Sequence, residues 1–149
     1  MACQRESLFS KKTDMGHEKE VVALVQSLDW QGHTPKEILV DEKELRILFE
    51  DAEEIPEDLF FQRGGTLLAL IHDAEAVSFE EEDHLVSGMS QEQMEVFLKA
   101  QGHGTLEEAR RDEKSFEDYV AFLNTIDVKR DAATFTLLEE GEAEALPQE

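Results

Sequence analysis

EILVDEKELRILFE, residues 37–50, is the stretch on which the fold turns. Leu45, Ile47 and Phe49 alternate with Arg46, Leu48 and Glu50, the period of a strand with one buried face. The spacing predicts a strand at Glu37–Val40, a tight turn through Asp41–Glu44 and a second strand at Leu45–Glu50. A helix competes, because Thr34-Pro35-Lys36-Glu37 offers Pro at the first helical position and a capping-box Glu. The apolar positions fit period 2 better than 3.6, so the strands are preferred.

On the N-terminal side, Val21, Val22, Leu24, Val25 and Leu28 lie at helical spacing within Glu18–Trp30, and Gly32 is expected to end that helix. On the C-terminal side, Asp51–Asp58 reads as an acidic loop in which Pro56 forbids a central strand. Gly64-Gly65 reads as a turn. Thr66–Ile71 and Ala76–Phe79 then read as paired strands joined through His72-Asp73-Ala74-Glu75, followed by an acidic run at Glu80–Asp83. The second half turns helical. Ser90-Gln91-Glu92-Gln93 is a capping box for a helix with Met94, Phe97 and Leu98 on one face, ended by Gly102 and Gly104. Thr105 opens a short helix. Ser115 is expected to cap another, with Phe116, Tyr119, Val120, Leu123 and Ile126 inside. A last strand is expected at Ala133–Leu138. The sum is an α+β domain over residues 17–139, a small antiparallel sheet packed against three or four helices, with a mobile arm at 1–16 and an acidic tail at 140–149.

Composition narrows the function. Fourteen Lys and Arg face 36 Asp and Glu in 149 residues, a net charge of −22. Nonspecific nucleic-acid binding is excluded as the default activity, because phosphate contacts need Lys and Arg. A basic protein surface, or cations, remain as attractive partners. The apolar residues gather into periodic runs and include nine Phe, which argues against disorder. Cys3 is the only cysteine, so no internal disulfide forms and a reducing, cytoplasmic setting is expected. Residues 1–16 hold no apolar run of the secretory kind, and no stretch approaches the ~18 apolar residues of a membrane span.

No motif carries chemistry. His17, His33, His72, His84 and His103 form no i, i+4 zinc pair, and Cys3 is isolated. Asp51–Asp58 and Glu80–Asp83 lack the spacing of a calcium loop. No Ser sits in a Gly-x-Ser-x-Gly elbow, and Gly64-Gly65 lacks the Lys-Ser/Thr of a phosphate loop. His72, Asp73, Asp83 and His84 converge only if the 66–79 hairpin brings its ends together. No cofactor is expected.

The acidic windows are the lead. Residues 37–58 hold Glu37, Asp41, Glu42, Glu44, Glu50, Asp51, Glu53, Glu54, Glu57 and Asp58 against Lys43 and Arg46. Residues 73–83 add Asp73, Glu75, Glu80, Glu81, Glu82 and Asp83 with no basic residue. Carboxylates two apart on a strand stand roughly 6.6 Å apart, and duplex DNA carries a charge every ~3.4 Å per strand. A folded surface can therefore approach the charge density of a nucleic-acid backbone. Phe60, in Leu59-Phe60-Phe61, is either core or an apolar anchor inside the acidic rim. The expectation is a non-enzymatic inhibitor that occupies a basic, nucleic-acid-binding groove of a partner protein. The alternatives are an immunity protein or antitoxin against a basic toxin, and a small enzyme or regulatory module with its site near His72 and His84. Solubility alone is the competing account of the charge, although it usually intersperses Lys among Glu.

Overall fold

The computed structural model describes residues 8–82 and 84–126. It is an α+β fold: four strands form a mixed sheet in the order β1-β2-β3-β4, and helices pack on it.

The decisive stretch forms two strands. β1 (Glu37–Asp41) and β2 (Glu44–Leu48) pair antiparallel from Glu37 opposite Leu48 to Asp41 opposite Glu44. Glu42, at φ 57°, makes the tight turn with Lys43. Leu45, Ile47 and Phe49 are fully buried on the inner face, while Arg46 points to the other face. Before them, α1 (Glu18–Ser27) buries Val21, Leu24 and Val25. It stops at Ser27 rather than at Gly32, because Leu28 is already extended. Gln31 and Gly32, both at positive φ, then turn the chain toward β1. Trp30 Nε1 donates to Val25 O at 2.9 Å, and its ring meets Phe49 edge-on at 5.2 Å.

The segment after β2 corrects the sequence reading. A 3-10 turn at Ala52–Glu54 leads into α2 (Glu57–Leu70), so Thr66–Ile71 is not a strand and Gly64-Gly65 is not a turn. Leu59, Phe60, Phe61 and every residue from Gly64 to Leu70 are buried. Both glycines are packing positions. A Cβ on Gly65 would stand 2.7 Å from Leu123 Cδ1 and 3.2 Å from Tyr119 Oη, and one on Gly64 would stand 3.1 Å from Met89 Cε.

Because α2 crosses over between them, β2 and β3 (Ala76–Glu81) run parallel, with Glu44 opposite Ala76 and Leu48 opposite Glu80. The sheet is therefore mixed at its centre rather than antiparallel throughout. β3 does begin at Ala76 as expected, but its antiparallel partner is β4 (His84–Ser90), not residues 66–71. α3 (Gln91–Gln101) opens on the Ser90/Gln93 capping box and ends on Gly102 at φ 67°. Thr105 caps α4 (Leu106–Ala109). The cap of α5 (Glu113–Asn124) is Asp112, whose carboxylate accepts the Ser115 N–H at 2.8 Å, so Ser115 is the third residue of the helix and not its cap. Arg110 reaches from the end of α4 to donate to Ala69 O and Leu68 O, the open carbonyls in the last turn of α2.

Residues 8–16 of the expected arm meet the fold. Leu8–Lys11 is a 3-10 turn, Thr13 bridges Ile71, and Met15 is buried. Residues 1–7, Asp83, the expected strand at Ala133–Leu138 and the acidic tail lie outside the described residues.

Candidate functional site

The register decides where each carboxylate goes. β2 and β3 finish together at Leu48 and Glu80, and β1 and β4 begin at that same end. The loop after β2 folds back on it. Glu53 N–H donates to Glu81 Oε1 at 3.0 Å, and His84 Nε2 meets Glu53 Oε2 at 2.6 Å. Segments some thirty positions apart in the chain thus form one acidic end, made of Glu37, Glu50, Asp51, Glu53, Glu54, Glu81 and Glu82. Glu37, Glu50, Glu53, Glu54 and Glu82 are exposed there. Asp51 is half-buried and holds His33 Nδ1 at 2.7 Å. Within 33–37, 50–54 and 81–84, Lys36 is the one lysine or arginine.

Other expected residues sit at the opposite, hairpin end. Asp41, Glu42 and Glu44 flank the β1–β2 turn, and Glu75 is tied to it by its N–H, which donates to Lys43 O at 2.7 Å. Asp73 accepts the Met15 N–H at 2.8 Å. The two expected windows therefore do not merge into a single patch. Four steps of β2 separate their ends by roughly 13 Å.

Two expected contact residues, Glu80 and Phe60, are turned inward, and the exposed Glu57 is tied to β4. Glu80 lies on the sheet face between the ends and takes both Nε and Nη2 of Arg46, at 2.8 and 2.9 Å, while Ser78 Oγ donates to it at 3.1 Å. Only 12% of the Glu80 side chain is exposed. The Arg46 hydrogen bonds hold its carboxyl below the usual glutamate range against the opposing effect of burial, and Glu80 in turn raises the arginine. Glu57, in the first turn of α2, accepts Ser87 Oγ at 3.0 Å, and desolvation pushes its carboxyl up. Phe60 is 0% exposed. It stacks on Phe79 at 4.4 Å, so the anchor reading is corrected to core. Asp58 is half-buried beside Glu57.

The expected convergence of His72 and His84 does not occur. Residues 66–71 are helical, and β3 runs its whole length between them, putting the two histidines roughly 16 Å or more apart. His72 is exposed at the hairpin end, whereas His84 sits at the acidic end. Among the described residues, no group of three His, Cys, Asp or Glu is placed to hold a metal ion. A cavity of about 690 Å³ opens between the 3-10 turn, α1, α2 and α5, lined by Leu8, Lys11, Arg63 and Val120 among others, and reaches neither His72 nor His84. Nor is any helix among the described residues long and apolar enough to cross a membrane.

Sequence reasoning did not pair His33 with Asp51 or His84 with Glu53, and it counted Glu37 in the acidic window without placing Lys36 beside it. The His84–Glu53 pairing depends on the parallel β2–β3 register, which leaves no local trace, whereas His33, Lys36 and Glu37 reach this end through the β1–β2 hairpin. No family model matches the chain, and neither a curated protein nor a solved structure does.

Proposed function

We propose that this protein is a non-enzymatic binding protein whose acidic end occupies a basic, nucleic-acid-binding groove of a partner protein. The observation that carries the reading is the joining of residues 50–54 to 81–84, which leaves Glu50, Glu54 and Glu82 exposed around the Glu53–Glu81 contact, with Lys36 the one lysine or arginine within 33–37, 50–54 and 81–84. Crowding like charges costs the fold stability. Here a backbone N–H and His84 offset part of that cost for Glu81 and Glu53. An acidic end of this kind attracts a cationic groove at long range and excludes anionic competitors from it. The hairpin end, where Lys43 is interspersed among the acids, suits this role less well.

The test is capture of basic partners on the immobilised protein at low and at raised salt, with the variant Glu50→Lys/Glu54→Lys/Glu82→Lys beside the native chain. These side chains are exposed, so their replacement should leave the fold within about 0.5 kcal/mol of native stability. The expected result is a partner that the native chain retains at low salt and releases as salt rises, with association slowed roughly tenfold or more by the triple reversal. Retention that is indifferent both to salt and to the reversal refutes the reading.

A further inference from the structure

We infer that the outer edge of β1, unpaired among the described residues, is a docking site for an extended peptide segment of the pattern basic–apolar–apolar–apolar–basic, bound as a fifth strand. The inference rests on the reading that the partner is basic, and it specifies how one of its segments would be held. β1 stands at the end of the sheet order and pairs only with β2 among the described residues. A strand in that position presents half of its N–H and C=O groups outward, ready to pair with another chain. Among the described residues two of the usual guards, a bulge and a lysine or proline within the strand, are absent from β1, while Glu37 and Asp41 guard it only against an acidic neighbour. The β1 register runs from Glu37 to Asp41 without a shift, and EILVD contains no Lys and no Pro. The other edge is guarded: β3 pairs Phe79 with Ser87 but Glu80 with Leu85, so Val86 is the extra residue of a bulge in β4.

The side chains of β1 set the chemistry of the occupant. Ile38 and Val40 lie opposite Ile47 and Leu45 on the inner face, and both are half-buried at the rim of the core. An added strand that placed apolar residues beside them would complete their burial. Glu37, Leu39 and Asp41 lie on the other face, and both acids are exposed. Residues directly opposite one another across a strand pair share a face, and opposite charges there attract while like charges repel. A strand with Lys or Arg facing Glu37 and Asp41 is therefore selected. A second copy of β1 would set carboxylate against carboxylate and is selected against. Because the acids sit symmetrically about Leu39, the same pattern fits a parallel or an antiparallel occupant.

The probe is the peptide GSKVLVRSG, titrated into the isotopically labelled full chain. Saturable shifts of backbone amides within 37–41, with protection of alternate amides from hydrogen exchange, are expected. Methylating the peptide nitrogens along the edge that meets β1 should weaken binding roughly tenfold or more, since each methyl removes a main-chain hydrogen bond. Glu37→Gln/Asp41→Asn should weaken it roughly tenfold, through loss of two cross-strand pairs. The proposal is overturned if the methylated peptide binds equally well, if the shifts fall at Glu50, Glu54 and Glu82 instead, or if the free protein shifts the 37–41 amides with its own concentration. The triple reversal at the acidic end separates the two proposals. It should leave peptide binding at 37–41 nearly unchanged, so failure of the edge site does not depend on failure of the acidic end.

Discussion

Phe60→Leu tests whether the aromatic run beside the acids serves the core or the partner. Phe60 has no exposed surface, stacks on Phe79 at 4.4 Å with planes 21° apart, and lies 6.2 Å from Phe49. Truncation of a buried Phe to Ala costs about 3–5 kcal/mol, a large share of a total stability of about 5–15 kcal/mol. Leucine keeps most of the apolar transfer energy but gives up the ring pairing, about 0.5–1.5 kcal/mol, and leaves a residual gap that adds about 1 kcal/mol. The expected loss is thus about 2 kcal/mol. Urea unfolding at neutral pH should show it as a lower midpoint with an unchanged slope, because the surface exposed on unfolding is the same. At about 2–4 °C per kcal/mol for a chain of this size, the melting temperature should drop by about 4–8 °C. Affinity for a basic partner, measured at a temperature where the variant is folded, should not change. A variant of native stability that binds its partner less well would refute the core assignment and restore Phe60 to the contact surface.

Gly65→Ala should destabilise by about 1–2 kcal/mol in the same assay, despite alanine's better helix propensity, because Tyr119 cannot withdraw while its hydroxyl donates to Gly65 O at 2.8 Å. Native or higher stability would show that Leu123 and Tyr119 yield freely. Arg110→Leu should cost about 2 kcal/mol and speed hydrogen exchange in the last turn of α2, since it strips the donors from Leu68 O and Ala69 O. Exchange that stays at the native rate would show that solvent satisfies those carbonyls. The Arg46–Glu80 pair sets a pH dependence whose sign follows from the lowered carboxyl. A carboxyl held lower in the folded than in the unfolded chain contributes stability that is complete above its unfolded value and is lost as pH falls through its folded value. Glu80→Gln should therefore flatten the acid side of the stability profile below about pH 5, and an unchanged acid limb would contradict the pairing.

The parts of the fold legible in the sequence are those whose signal is local. Leu45, Ile47 and Phe49 alternate because one face of β2 is open, and Ser90 with Gln93 announces a helix start because the capping box lies within four residues. α2 defeats the same reasoning. A helix buried nearly all round has no polar stripe to reveal a period of 3.6, so Thr66–Ile71 looks like an interior strand. Gly64 and Gly65 look like a turn for a related reason. A glycine that lets Leu123 and Tyr119 approach is indistinguishable in sequence from one that frees φ. Misreading α2 then conceals β4, whose partner strand had already been assigned elsewhere, and turns a parallel central pair into a meander.

The same non-locality governs the acidic site. The windows are plain in the composition, but which carboxylates stay open to a partner depends on which side chains of the chain itself reach them. Arg46 goes to Glu80, His33 to Asp51 and His84 to Glu53, so three of the acids are answered from within the chain. At distances beyond the screening length of about 8 Å in physiological salt, a partner senses the balance of a whole region rather than any one pair. At the hairpin end Lys43 sits in the turn with Glu42 and Glu44, and Arg46 lies 3.9 Å from Asp41. Steering should accordingly come from the other end, where the loop after β2 meets the β3–β4 turn. On the proposed reading, a chain of equal charge with those segments held apart would lose its direction of approach.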